Sequence, residues 1–537
     1  MATSQVPETP RNNPEAVIGA GATAVADAPT RKQQDVSKLA AGAGVALTGR
    51  IVGRGLLLGI DVALARLLGP AQYGFYVIGW TITRLATLLS PLGLNAGVIR
   101  FGARYWRQDE ARLKGVLLFC IGGAAFVAAI LGAGLFFAAP WLASAVYHKP
   151  DLAGSFRWFA LGFPAAAAVT VAAAATRITQ RMKSGVITED LSQPAIGLSL
   201  ILILVGIFKL GIHGALIAYL ISFMMAGIIG AYYIAKLFPA VRKGSVHAIY
   251  PGKDLIAFSL PASLTGVLGV MIIWVNRLFV GYFRSTSEVG IYQVASQVPV
   301  TVALVVGAVS AIFSPMVADF AHRGQFDKVR EIYVIGTKWT LYFSMPALLL
   351  MALAPTDVIT VLFGHSYADG GTALKILALG QLFNAGSGCV GTLLVMTGNQ
   401  KITSALYAIM FLVNSVMSVL LIPRYGVPGA AWATTLTACG LFAPALVIAW
   451  RRLRMVPWDG RYWKLLMATA ISGAAMLVPL PTLKALPHLL VETFFATALF
   501  WGVMFAAGFD AEDRHFMDMI RSRIKSNFSR RQDSYVS

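Results

Sequence analysis

Apolar runs of about 20 residues or more recur along almost the whole chain, each long enough to cross roughly 30 Å of hydrocarbon as a helix. They predict fourteen spans, beginning near Val45, Tyr73, Leu113, Leu152, Val186, His213, Leu255, Val289, Ile332, Thr372, Ile402, Val427, Trp463 and Pro487. The short alternating segments of a transmembrane β-barrel are absent, so the expected fold class is an all-α integral membrane protein. Residues 1–38, rich in Ala, Pro, Gly, Thr and Gln, read as a disordered cytoplasmic tail, and residues 510–537 as a basic one. The mildly apolar patch from Ala16 to Ala28 lacks a strong basic flank, so no signal cleavage is expected.

Composition agrees, because 537 residues that are 57 % hydrophobic and 13 % charged cannot be wrapped into water-soluble domains. Cys120, Cys389 and Cys439 lie inside apolar runs without disulfide or metal-ligand spacing, and no metal site is expected. The two tails and the loops after even-numbered spans hold 32 of the 44 Lys and Arg, against 8 in the loops after odd-numbered spans. That bias predicts both termini in the cytoplasm. A basic surface facing anionic lipid heads then explains the net charge of +20, and no nucleic-acid partner is called for.

The pattern also repeats. Tyr73-Gly74-Phe75-Tyr76 returns as Val289-Gly290-Ile291-Tyr292 and Gly211-Ile212-His213-Gly214-Ala215 as Gly426-Val427-Pro428-Gly429-Ala430, at offsets of 216 and 215 residues. Pro140 returns as Pro355, and Leu161-Gly162 as Leu379-Gly380. Each repeat holds six spans, an even number, so two six-helix lobes, 39–240 and 241–454, are expected around a pseudo-two-fold axis along the membrane normal. Residues 455–509 add two further helices. Two facing lobes leave a central cleft.

The informative chemistry is the charge buried in the first two spans. Arg50, Arg54 and Asp61 are spaced by 4 and 7 residues and share one stripe of span one. At 1.5 Å per residue, Arg54 lies about 13 Å from one end of its span and Arg84 about 15 Å from an end of its own, both near the midplane. A charge at that depth costs about 2.5 to 3.5 kcal/mol unless it meets water or a partner. Guanidinium forks match phosphate oxygens, which makes Arg50, Arg54 and Arg84 candidates for binding a diphosphate. The alternative is a permanent Asp61–Arg54 ion pair, with Arg50 reaching to the interface. Asn276 and Arg277 occupy span seven, where Arg277 is the repeat counterpart of Asp61; the two are candidates for a gate, unless Arg277 reaches the interface instead. Gln293 with Gln297, and Gln381 with Asn384, each share a helix face and are candidates either for sugar hydroxyls or for holding helices together. Pro261, Pro299 and Pro346 interrupt apolar runs and are candidates either for bends that let the lobes rock or for packing kinks.

The loop ARLLGPAQYGFY after span one, and the Gly-x-x-Gly-Ala-x-x-Ala pattern that opens spans six and twelve, resemble the polysaccharide and oligosaccharide flippases of the multidrug/oligosaccharidyl-lipid/polysaccharide exporter superfamily. The resemblance extends over roughly Leu39 to Arg454. It implies twelve core helices in two lobes, a bacterial inner-membrane location, and transfer of polyprenyl-diphosphate-linked sugars to the outer leaflet by alternating access. It also implies polysaccharide polymerase and export machinery as partners beside the lipid-linked oligosaccharide and membrane lipids. Relatives that export the peptidoglycan lipid precursor use arginines of the first two helices, to which Arg50, Arg54 and Arg84 are similar in role.

No G-x-x-x-x-G-K-[ST] phosphate loop occurs, so ATP hydrolysis by this chain is not expected. No cofactor is expected, and Asp61 is the one candidate for coupling to a proton or sodium ion. The longest outer loop offers only Asp357, His365 and Asp369 to a glycan polymerase or ligase, and an enzyme is therefore not expected. An exporter of small cations on the same scaffold is the stronger rival; it would want buried carboxylates, and an arginine-lined cleft repels cations.

Overall fold

The computed structural model describes residues 31–179, 182–250, 253–477 and 485–508. The tail expected at 510–537, most of the one expected at 1–38, and the side chain of Pro261 lie outside the described parts. Helix α1 (Arg31–Leu89) leads to α2 (Leu94–Tyr105), α3 (Glu110–Trp141), α4 (Leu152–Thr176), α5 (Met182–Val186), α6 (Ser192–Ile201) and α7 (Gly211–Leu237). The second half runs through α8 (Lys253–Phe283), α9 (Thr286–Gln297), α10 (Val300–His322), α11 (Phe326–Leu353), α12 (Pro355–Phe363), α13 (Gly370–Ser387), α14 (Val390–Met396) and α15 (Gln400–Ile448). Helices α16 (Trp463–Met476) and α17 (Ala485–Ala506) follow. No strand occurs among the described residues, and the protein is a multi-pass membrane protein. Among the described residues, six helical stretches, 110–146, 152–179, 211–237, 286–322, 326–353 and 400–453, are long and apolar enough to cross a membrane, and the pair α13 and α14, bent by 41°, is a seventh if it is taken as one span.

Helix α1 begins at Arg31, inside the stretch expected to be a disordered tail, because the run Arg31 to Ala41 is rich in the helix formers Lys, Gln, Leu and Ala. It carries two expected spans, broken at Gly69, where φ is 74° and ψ is 171°. A glycine ends one helix in a left-handed conformation, and Pro70, lacking an N–H that would need a partner, starts the next. Helix α15 breaks likewise at Gly426, with φ at 59°, and its repeat counterpart Gly211 has φ at 56°. The repeat read in the sequence is thus matched in backbone conformation. Pro299 separates α9 from α10, whereas α11 continues through Pro346.

The halves meet where their repeats coincide. A Cβ on Gly74 would stand 1.8 Å from the Thr286 carbonyl oxygen, and one on Gly290 would stand 2.4 Å from that of Pro70. Residues 70 and 74 are the counterparts of 286 and 290, so the second part of α1 crosses α9 around a local two-fold. Only glycine lets the two backbones approach so closely.

Each half has its own interior. In the first, Tyr219 packs its ring 4.6 Å from that of Phe159, with Tyr76, Trp80 and Phe223 around them, and its hydroxyl donates to the Phe159 carbonyl at 3.2 Å. In the second, a buried polar network fills the corresponding space: Asn276 Nδ2 donates to Thr434 Oγ1 at 2.7 Å, and Asn414 Nδ2 to Asn276 Oδ1 at 2.8 Å. Ser418 and Thr437 complete it. Asn276 therefore ties α8 to α15. Lys338, one of the 32 cations assigned from the sequence to the tails and the loops after even-numbered spans, lies instead three turns inside α11 at 1 % exposure, because that helix starts at Phe326 and covers the whole preceding polar stretch.

Candidate functional site

The stripe on α1 faces open space near its start. Arg50 and Arg54 are exposed and make no hydrogen bond or ion pair with the described residues. Gly53, between them, lets α1 pack on the backbone of Asp190, so the small residues of this turn face protein while the arginines face away from it. The expected alternative, a permanent Asp61–Arg54 pair, is not formed.

Arg84 comes from the part of α1 after the break. It is half-buried, and its Nε is enclosed without a partner. Its guanidinium lies 4.6 Å from the ring of Trp80, one turn earlier, and 6.0 Å from that of Trp274 on α8. Aromatic faces offset part of the cost of sequestering a cation and leave its N–H fork free for an anion. Arg54 is close enough to Arg84 for their charges to repel. A shared anion relieves that repulsion.

Asp61 points to the interface between the halves. Tyr73 donates to its Oδ1 at 2.6 Å and Gln297 of α9 to its Oδ2 at 2.6 Å. Arg277 is 4 % exposed and does not reach an interface. It donates to Gln293, to Ser296 at 2.8 Å and to the Ile273 carbonyl at 2.6 Å, with Trp274 4.5 Å away on its face. Asp61 and Arg277 form no direct ion pair: Asp61 is held by Gln297 and Arg277 by Gln293, one turn apart on α9, and the Gln293 Nε2 is buried without a partner. Gln293 and Gln297 share their face as expected, but in this conformation they serve Arg277 and Asp61. Gln381 accepts from Asn384 at 3.0 Å on one side of α13. Among the described residues, no group of three or more His, Cys, Asp or Glu is placed to hold a metal ion.

Trp80 and Trp274 were missed in the sequence, although each stands one turn before its arginine, at i−4 and i−3, a spacing that puts ring and cation on one face. Tyr367 was missed too. It arises in the loop after α12, and its hydroxyl donates to the Ala65 carbonyl at 3.0 Å. Nothing in local sequence marks a contact that spans 302 positions.

A family model described as polysaccharide biosynthesis protein matches residues 63–370, more than half of the chain. Two similar curated proteins are the "Probable flippase AglR" of Haloferax volcanii, 26 % identical over 42 % of this chain and 47 % of that one, and the "Capsular polysaccharide biosynthesis protein CapF" of Staphylococcus aureus, 24 % identical over 43 % of this chain and 58 % of that one. The chain thus spans about half the length of the curated relatives it matches. In fold it is similar to a structure titled "Lipid II flippase MurJ, inward closed conformation", with a TM-score of 0.69 at 14 % identity over 88 % of this chain and 99 % of that one. An inward-facing multidrug resistance MATE family transporter of the MOP superfamily gives a TM-score of 0.57 at 14 % identity, over 77 % of this chain and 99 % of that one. With a family match across its first half and into its second, on a fold shared with these transporters, the chain belongs to the polysaccharide biosynthesis protein family.

Proposed function

We propose that this protein is a flippase that carries a polyprenyl-diphosphate-linked oligosaccharide from the cytoplasmic to the outer leaflet of the inner membrane. The observation that carries the reading is Arg84, a cation held between two tryptophans, with an enclosed Nε that no protein group satisfies. A buried donor without an acceptor costs about 1–3 kcal/mol, more when charged, and a diphosphate oxygen supplies the acceptor. Arg50 and Arg54 extend the cationic stripe toward the end from which the substrate arrives, and Gln381 and Asn384 meet sugar hydroxyls from the other lobe. The names of the similar proteins from Haloferax and Staphylococcus, a flippase and a capsular polysaccharide protein, support the same substrate class.

In this reading the lobes 39–240 and 241–454 rock about the glycine crossing, both termini lie in the cytoplasm, and the chain transports without catalysing a covalent step. Polymerase and export machinery take up the product outside. Asp61 and Arg277 serve as the gate at the far end, and Asp61 is the group through which a proton or sodium ion is coupled. A MATE-like exporter of cations is the rival, but three unpaired arginines repel such a cargo. The experiment is depletion of the protein followed by extraction of lipid-linked saccharides: the expected result is accumulation on the inner leaflet with unchanged sensitivity to cationic dyes. Dye hypersensitivity without accumulation would reverse the choice.

A further inference from the structure

Two cations outside that substrate site, Arg66 and Lys149, each reach across from one repeat to the other at the end of the bundle where α1 breaks. Arg66 Nε donates to the Leu362 carbonyl at 2.9 Å and its Nη2 to that of Val361. Lys149 Nζ donates to the carbonyls of Gly281 and Arg284. We infer that these are a matched pair of latches that hold this end of the cleft shut, and that breaking them shifts the molecule toward opening there.

The argument rests on register. Gly281 and Arg284 are the counterparts, 216 residues on, of Ala65 and Leu68, which bracket Arg66. Val361 and Leu362 are the counterparts, 215 residues on, of Val146 and Tyr147, just before Lys149. The same two surfaces therefore meet twice around the pseudo-two-fold, with the cation on the helix end in one copy and on the loop in the other. Ala65 and Gly281 even play the same part, each accepting across the interface, from Tyr367 and from Lys149 respectively. All the acceptors lie at or near helix C-termini, where carbonyls lack intrahelical partners and the helix dipole favours a cation. His148, in the left-handed conformation with φ at 52°, ends the preceding turn just before Lys149.

The opposite end is closed differently. There α2 rests on α8 through Gly93 and Gly97 against Ser259, with Phe101 6.2 Å from Phe258 and Arg100 4.2 Å over the same ring. The hydroxyls of Ser90 and Ser259 are buried without partners. The charged contacts at that end, Lys114 Nζ to the carbonyls of Lys243 at 2.9 Å and Val246 at 3.0 Å and the exposed Lys243–Glu110 pair, tie α3 to the segment that joins the halves, whereas at the latched end the charged hydrogen bonds fasten the helix ends of one repeat to those of the other.

Spin labels on exposed Ala145 and Ser366, one per repeat at the latched end, and on Gln108 and Gln325 at the other, read the two openings separately in protein reconstituted without substrate. The native cysteines are replaced and only monodisperse protein is measured. Arg66→Gln and Lys149→Gln are each expected to raise the long-distance population at the latched end about three- to tenfold, and together by about the product. The Ala pair serves as the second set. A double variant whose distribution at 145 and 366 matches the unsubstituted protein overturns the inference, as does one that broadens equally at both ends.

Discussion

Arg84 and Asp61 place opposite demands on the first half of the chain. Arg84 has rings around it and no acceptor, whereas Asp61 has two donors within 2.6 Å and no cation. Replacing Arg84 by Ala is expected to reduce transport at least about tenfold, with Lys retaining part as a point charge without the fork, measured as accumulated lipid-linked precursor. Asp61→Ala removes the acceptor shared by Tyr73 and Gln297 and is expected to cost about 1–3 kcal/mol of stability, measured as a lowered melting midpoint in detergent. Full transport by an Arg54→Ala, Arg84→Ala double variant would remove the diphosphate site. The arginines were legible in the sequence because charge at that depth is costly wherever it occurs. The partner of Asp61 was not, because Gln297 lies 236 positions away and only the apposition of two helices brings it there.

Among the elements, the glycine-marked breaks carry the most information. Gly211 and Gly426 both hold φ near +60°, a region that L side chains rarely adopt, so Ala at either is expected to cost about 1–2 kcal/mol. Gly426→Ala should cost only slightly more, because its Cβ would stand 2.7 Å from a Glu288 carboxylate oxygen, the end of a flexible side chain that can move aside at the expense of its 3.8 Å pair with Arg284. Thermal midpoints of the two variants, compared side by side, check the order. Gly74→Val is expected to separate α1 from α9 and raise opening at the latched end, read by the same pair of labels. These breaks were visible beforehand because Gly-Pro punctuation and a fixed offset are local signals. The helix α12 in the long loop was not, since Asp357, His365 and Asp369 read as a loop; Phe363 and Tyr367 are buried there, Tyr367 against the other half with its ring 6.4 Å from that of Tyr73 and its hydroxyl on the Ala65 carbonyl.

At the scale of the whole molecule, cation placement and gating point the same way. An anion that leaves a negative cytoplasm gains about 2.3 kcal/mol per charge per 100 mV, so vesicles with an imposed potential, negative on the loading side, should transport faster than unpolarised ones. Equal rates at both potentials would mean that a co-transported ion neutralises the charge moved. The all-α membrane fold was within reach of the apolar pattern alone, whereas the fourteen expected spans are not matched one for one, since six or seven helical stretches among the described residues qualify by length and composition. Which end was bolted was out of reach, because Arg66 and Lys149 look like ordinary loop cations until their carbonyl acceptors are known.

The Gly74–Gly290 crossing also says something about origin. A patch that meets its own counterpart around a two-fold axis is the patch that two identical chains would share, so the crossing is a homodimer interface written into a single polypeptide. In a true homodimer every substitution is made twice. Fusion removes that constraint, and the positions equivalent to Arg54 and Arg84 are now Val270 and Val300. A repeated frame thus carries a one-sided charge that two identical chains around the same axis could not hold.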